Sequence, residues 1–383
     1  VSDSVRIITL DNPPVNALSF AYCAKLLAEV QAAEAEASVK AVIFTGANGI
    51  FSGGADINDF AKEPDPSDKN VRHVIAAIEA GKKTYVAAID GNAMGGALEL
   101  ALACDYRVAT VRSKLSLPEI KLGLLPGAGG TQRLPRLIGA QAALQMMLKG
   151  ENVKAEDAKK QGLLDEIAAS DVVEAAKKYA DKPRRRISEM HVSLEGLPAN
   201  AVPFVIAQAH KMCPPEENGG FAAHKLVDAV QAAFELPFKR GLAREARLFD
   251  ELARSAPSSA LRHVFFAERD LAKIPELEAL RAAHQGSLPP CEVRTAGVIG
   301  GGTMGTGIAI TFASAGIPVT VIEPNAAQIE KGRQTVFGMF AYQVQKGRIT
   351  QEEAWTRGQS IRFTDDFAEL ADADVVVEAV FED

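Results

Sequence analysis

The chain has 383 residues, 47% hydrophobic and 24% charged, a balance typical of globular proteins and a length that allows two or three domains. Its formal net charge of −7 excludes a general nucleic-acid binder, which would be basic. The apolar runs are broken by glutamate or glycine, so no membrane span is expected; Cys23, Cys104, Cys213 and Cys291 are scattered, with no CxxC pair and no metal spacing, and read as reduced thiols.

In chain order, residues 5–10 (VRIITL) read as a strand rather than a signal peptide. A helix follows, with Ser19 as its expected N-cap (SFAYCAKLLAEVQAAEAE). Residues 40–46 (KAVIFTG) and 85–91 (YVAAIDG) read as buried strands, with the glycine-rich turn FSGGADI at 51–57 between them. Residues 90–109, DGNAMGGALELALACDYRVA, carry a glycine turn, a helix and the start of another strand. Glu99 lies there among Ala97, Leu98, Leu100, Ala101 and Leu102. A helix apolar on nearly every side is buried, and a carboxylate in it is costly unless paired, hydrogen-bonded or protonated. One reading is a structural acid satisfied by an arginine or by backbone amides; the other is a working acid. Residues 116–134 (SLPEIKLGLLPGAGGTQRL) place a second acid, Glu119, between a proline and a glycine-rich loop. The run DKPRRR at 181–186 reads as a solvated boundary, with a phosphate contact as the alternative. From about 187 to 285 helical patterns dominate, GSLPP at 286–290 reads as a linker, and a second α/β unit begins at Arg294. The alternation of strands and helices makes the fold class α/β.

Glycines let a backbone approach a ligand and aim amides at it, and two amides facing one oxygen make an oxyanion hole. The blocks ITLDNPPVNALS, GADI, GNAMGGALELALACDYRVA, PEIKLGLLPGAGGTQRLPRLIG and KAEDAKKQGLLDEI, collinear over about residues 1–185, resemble the enoyl-CoA hydratases of the crotonase superfamily. The resemblance implies a crotonase ββα-superhelix over 1–186 and catalytic acids at Glu99 (water activation) and Glu119 (proton delivery). It implies oxyanion-hole amides at Ala55 and Gly96, and an acyl-CoA channel lined by Gly53, Ala55 and Asp56. Some relatives carry a lysine after GADI; this chain has Asn58. Two retained acids also suit moving a double bond from position 3 to position 2.

Residues 294–325 (RTAGVIGGGTMGTGIAITFASAGIPVTVIEPN) place Gly300-x-Gly302-x-x-Gly305 between a strand and a helix, with Glu323 ending the next strand. That context is the dinucleotide fingerprint: a tight turn at Gly300, close pyrophosphate approach at Gly302, helix–strand packing at Gly305. An acid at 323 favours NAD over NADP. The blocks IGGGTMGTGIA, GIPVTVIEPN and DADVVVEAVFED resemble the NAD-binding half of 3-hydroxyacyl-CoA dehydrogenases. That resemblance implies a partial Rossmann domain over 291–383 and NAD contacts at Gly300, Gly302, Thr303, Met304, Gly305, Glu323, Lys331, Ala379 and Glu382. In that family the catalytic histidine and its glutamate lie downstream of these blocks, whereas all six histidines here precede Arg294. They read as surface or packing residues, and no metal site is expected.

Together these imply a multifunctional β-oxidation enzyme: hydratase over 1–186, helical linker region over 187–290 completing the hydratase half, and the first part of a dehydrogenase over 291–383. Hydration of 2-enoyl-CoA, with isomerase activity beside it and an incomplete dehydrogenase, is the expectation. The resemblance implies an acyl-CoA substrate, no nucleic acid, a monomer, and a cytoplasmic location in a bacterium or a peroxisomal one in a eukaryote. The competing readings are a crotonase-type enzyme for a specialised acyl-CoA and a non-catalytic acyl-CoA or NAD sensor.

Overall fold

A computed structural model describes residues 4–61, 65–192, 194, 198–271, 274, 277, 279 and 292–380. Glu382, Cys291, His284 and the linker at 286–290 lie outside the described residues. The chain divides into two compact units, Val1–Ile274 and Pro275–Asp383.

The first unit runs β1 (Val5–Leu10), α1 (Phe20–Ala35), β2 (Ala41–Gly46), α2 (Val71–Ala80), β3 (Thr84–Ile89), β4 (Asn92–Met94), α3 (Gly96–Ala103), β5 (Tyr106–Thr110), β6 (Lys114–Ser116), α4 (Gly130–Ile138), α5 (Ala140–Lys149), β7 (Val153–Lys154), α6 (Ala155–Lys160), β8 (Glu166–Ala168) and α7 (Val172–Lys177). Four helices follow: α8 (Val202–Met212), α9 (Phe221–Glu235), α10 (Phe238–Ala253) and α11 (Ala256–Leu271). A five-stranded sheet has the order β1-β2-β3-β5-β8, parallel throughout. Its central strand β3 is buried at every position, as a parallel strand covered on both faces must be. A small sheet, β4-β6-β7, stands beside it.

The expected Ser19 cap is present, and α2 has one that sequence reasoning did not single out. The Ser19 hydroxyl accepts from the Tyr22 amide, and Asn70 and His73 form a reciprocal box at the start of α2, satisfying amides a helix start leaves orphaned. Leu226, Val227 and Val230 of α9 and Leu248 and Leu252 of α10 belong to the same apolar core as Leu98, Leu100, Leu134 and Met147; α9 packs on α4 and α5, and α10 on α4 and α9.

In the run at 181–186, Asp181, Lys182 and Pro183 are exposed as a solvated stretch would be, whereas the three arginines are part-buried and engaged within the unit. Arg184 pairs with buried Asp105 at 3.0 Å and donates to the carbonyls of Ile78 and Gly81. Arg185 pairs with Asp165 at 2.6 Å, and Arg186 reaches Gly81 O. These guanidiniums staple the chain across the N-terminal ends of β3, β5 and β8, because carbonyls and carboxylates there need donors.

The second unit runs β9 (Ala296–Ile299), α12 (Thr303–Ser314), β10 (Val319–Ile322), α13 (Ala326–Gln345), α14 (Gln351–Gln359), β11 (Ile361–Thr364) and β12 (Val375–Glu378). Its sheet is parallel, in the order β11-β10-β9-β12, over a core that includes Val298, Ala309, Val321, Phe340 and Phe363. The architecture is mixed α/β in both units. No helix among the described residues is long and apolar enough to cross a membrane.

Candidate active site

Three chain segments meet to form the floor of the first site. The Ser52 amide donates to Asn92 O, the Met94 amide to Ser52 O, and the Gly53 amide to Val15 O. Buried Ser52 also donates its hydroxyl to Asn16 O at 2.7 Å and accepts from the Gly54 amide. The short strand β4, which the sequence pattern hides inside a glycine turn, is thereby paired on both sides. Gly54 has φ +95°, and a Cβ there would lie 2.4 Å from Met94 O, so only glycine lets these backbones close.

This lattice brings Ala55 beside Gly96, the first residue of α3. A Cβ built on Gly96 would stand 3.4 Å from the Ala55 nitrogen. Among the described residues neither amide is taken up by a backbone carbonyl. Both line a cavity of about 940 Å³ with Gly53, Asp56, Glu99 and Glu119. All six first-site residues expected from the sequence therefore surround one cavity. Its cations are Arg72 and Arg254, set against Asp56, Asp65, Asp68 and Asp250. The Asp56 carboxylate accepts from both nitrogens of Asn58.

The two glutamates have different surroundings. Glu99 is buried, and its Oε1 accepts from the Ala128 amide at 2.7 Å and the Gly130 amide at 2.8 Å. Burial pushes its pKa up; the two amides, Arg72 and Arg133 oppose that. Glu119 opens a single 3₁₀ turn, Glu119–Leu122. The residue is half-buried, yet its Oε2 is enclosed without a hydrogen-bond partner. Burial and then the charge of Glu99 hold its carboxyl well above the ordinary range. Hydrogen bonds to the anion favour ionisation and their absence disfavours it, so Glu99 ionises more readily and Glu119 retains its proton.

Sequence reasoning missed a third acid. Glu245 of α10 is 1% exposed and is pushed up to about 8, first by burial and then by Glu99. Its Oε1 accepts from the Gly129 amide at 2.7 Å and its Oε2 from the Thr131 amide at 3.0 Å and hydroxyl at 2.5 Å. Arg72, also missed, donates Nε to Gly127 O at 2.5 Å and stacks on Phe249. Buried Arg133 donates to Ala128 O and pairs with Glu79. The signal for Glu245 was its place on the buried stripe Gly241, Glu245, Leu248, Leu252, an acid where helical periodicity calls for an apolar residue.

In the second unit the β9–α12 turn fits a dinucleotide. Gly300 has φ +104° and a Cβ there would lie 2.7 Å from Ala379 O; at Gly305 it would lie 1.9 Å from Gly300 O; at Gly302 it would meet nothing within 4 Å. The first two glycines permit close packing, and the third leaves the approach to the start of α12 open, where Thr303 and Met304 are exposed. Helix N-termini favour anions. Glu323 directly follows β10, its carboxylate accepting from the Gly301 amide at 2.8 Å and the Asn325 amide at 3.0 Å. Ala379 follows β12 beside Gly300, while Lys331 stands exposed in the second turn of α13. No cluster of metal-ligating side chains occurs among the described residues.

Residues 1–197 match the family model for enoyl-CoA hydratase/isomerase, and residues 295–383 match that for the 3-hydroxyacyl-CoA dehydrogenase NAD binding domain. The chain is 40% identical to a peroxisomal bifunctional enzyme of Danio rerio, covering all of this chain and 52% of that protein. It is 35% identical to a peroxisomal fatty acid beta-oxidation multifunctional protein of Arabidopsis thaliana, covering 99% and 53%. The chain thus spans about half the length of the curated relatives it matches. An enoyl-CoA hydratase/isomerase from Pseudoalteromonas atlantica shares the fold with a TM-score of 0.53 at 23% identity, over 70% of this chain and 95% of that one.

Proposed function

The chain belongs to the enoyl-CoA hydratase/isomerase family, and from that membership we propose that its first unit adds water across the double bond of 2-enoyl-CoA thioesters, giving 3-hydroxyacyl-CoA. The observation that carries the reading is the unequal pair in one cavity: Glu99 held by two amides, Glu119 by no donor on Oε2. Two carboxyls in unequal environments can divide acid and base work. Glu99 takes a proton from water as its oxygen bonds to C3. Negative charge moves onto the thioester oxygen, where the Ala55 and Gly96 amides receive it; removing one such donor costs about 3–4 kcal/mol of barrier. Glu119 delivers its proton to C2, and solvent exchange restores both acids. In its ionised form the same Glu119 carboxylate can take the C2 proton of a 3-enoyl thioester and return it at C4 as the double bond moves, which supports 3-enoyl to 2-enoyl isomerisation at the same site.

In the second unit, Gly300, Gly302, Thr303, Met304, Gly305, Glu323, Lys331 and Ala379 would hold NAD, which supplies a hydride acceptor for oxidising the 3-hydroxyacyl product. We place the protein in the peroxisome if its source is eukaryotic, as the names of its relatives suggest, and in the cytoplasm if bacterial; we take it to act as a monomer.

Loss of the conjugated thioester absorbance of crotonyl-CoA tests the reading. Glu99→Gln and Glu119→Gln should each lower kcat by about 10²-fold or more, since acid–base groups supply roughly 10²–10⁴, with binding retained. Near-wild-type turnover in either variant removes that residue from its role. No turnover by the wild-type chain removes the enzyme reading in favour of a binding protein.

A further inference from the structure

Helix α4 begins without a local cap, because its N-cap residue is Gly129. Its first amides still need acceptors, since nothing within a helix serves them. They find two carboxylates from distant parts of the chain, in strict alternation. The amides of Ala128 and Gly130 go to Glu99; those of Gly129 and Thr131 go to Glu245. The carbonyl side of the same loop is held too, Gly127 O by Arg72 and Ala128 O by Arg133.

We propose that Glu245 is a positioning residue for the reaction at Glu99: from α10 it grips the alternate amides of the 127–131 loop and so fixes the other two on the Glu99 carboxylate. Neither amide bound to Glu99 can shift without dragging a neighbour that Glu245 holds. The hold is directional, because a carboxylate offers acceptors on both oxygens and all three partners donate to it. Helix α10 reinforces it nearby: a Cβ at Gly127 would lie 2.4 Å from the Phe249 ring, and Thr131 is tied onward through Gln132 to Ala229 O of α9. Glu245 touches no reacting atom; it acts through the loop.

The kinetic part of the test rests on the hydration reading; the exchange part does not. Glu245→Gln keeps the shape but replaces one acceptor by an NH₂ that faces a donor. The kcat for crotonyl-CoA is expected to fall about 10–100-fold, as for outer partners of reacting groups, with KM little changed. In a Glu99→Gln background the same substitution should cost nothing further, because residues that act as a unit are not additive. Amide hydrogen exchange at Ala128 and Gly130, which Glu245 does not touch, should quicken about tenfold or more as the buried bonds beside them are lost. Thr131→Val, which deletes the hydroxyl that donates to Glu245 and accepts from Gln132 Nε2 but keeps the Thr131 amide on Glu245, should show the same pattern more weakly and carries the test if Glu245→Gln does not fold. Unchanged exchange at both amides, or an equal kcat loss with and without Glu99, overturns the proposal. Absence of turnover in the wild-type chain would sink the hydration reading and leave the exchange result to decide on Glu245.

Discussion

A carboxyl shut away from water, with no donor on one oxygen and another acid nearby, holds its proton, and Glu119 meets all three conditions. The same burial carries a stability cost that depends on pH. Below the ordinary value of 4.5 the carboxyl is protonated in both folded and unfolded chains, and burial costs nothing in ionisation. As pH rises from there toward the raised folded value, the unfolded chain ionises freely and the folded one does not, so stability is lost. Glu119→Gln, an isostere that cannot ionise, should therefore raise the melting temperature of the first unit at pH 8 and leave it unchanged at pH 4. Each kcal/mol recovered corresponds to roughly 2–4 °C in a domain of this size. Equal effects at both pH values would mean that packing, not ionisation, sets the difference. Glu99 was legible because its sequence neighbours are all apolar. Glu245 was not, because Arg244 and Arg247 beside it give the stretch the look of a solvated face; only the every-third-or-fourth spacing to Gly241, Leu248 and Leu252 betrays it.

Elements whose geometry is dictated locally were read from the sequence with little loss. The β9–turn–α12 unit is one, since Gly300 answers to its own φ of +104° and Gly305 to Gly300 O five residues earlier. Gly305→Ala tests that: its Cβ would stand 1.9 Å from Gly300 O, and overpacking of this kind costs about 1–3 kcal/mol. The chain's only tryptophan is Trp355, on α14, so its emission in a urea titration reports the second unit alone. The variant should unfold at lower urea and bind NADH more weakly; an unchanged midpoint would show that the turn has slack. Elements fixed by distant partners were hidden. β4 and β6 have three residues and β7 two, too few for an alternating pattern. The arginines at 184–186 look solvated until Asp105, about eighty residues earlier in the chain, is seen to accept from Arg184 and Arg185.

At the scale of the molecule, the chain joins a unit whose acids suit hydration to one whose turn suits NAD. Oxidising a 3-hydroxyl needs a base to take the hydroxyl proton as hydride leaves, and in the resembling dehydrogenases that base is a histidine beyond the nucleotide fold. No histidine follows His284 in these 383 residues. A general base alone is worth roughly 10²–10⁴. A polypeptide of this sequence should therefore consume crotonyl-CoA without forming NADH from NAD and 3-hydroxybutyryl-CoA. NADH appearing at rates near hydration would reveal another base.

The grip on the 127–131 loop joins residues 116 and 114 positions apart in the chain. A ribosome adds about 5–20 residues per second, so Glu245 leaves the tunnel roughly 6–23 seconds after the amides it must hold. Through that interval the nascent first unit grows from β1–α4 to include α9, but half the leading amides of α4 stay unclaimed until α10 follows. Helix α10 closes the cavity long after the sheet and α4 are made, and a chaperone that shields this flank of α4 during those seconds would protect the part of the molecule on which the chemistry depends.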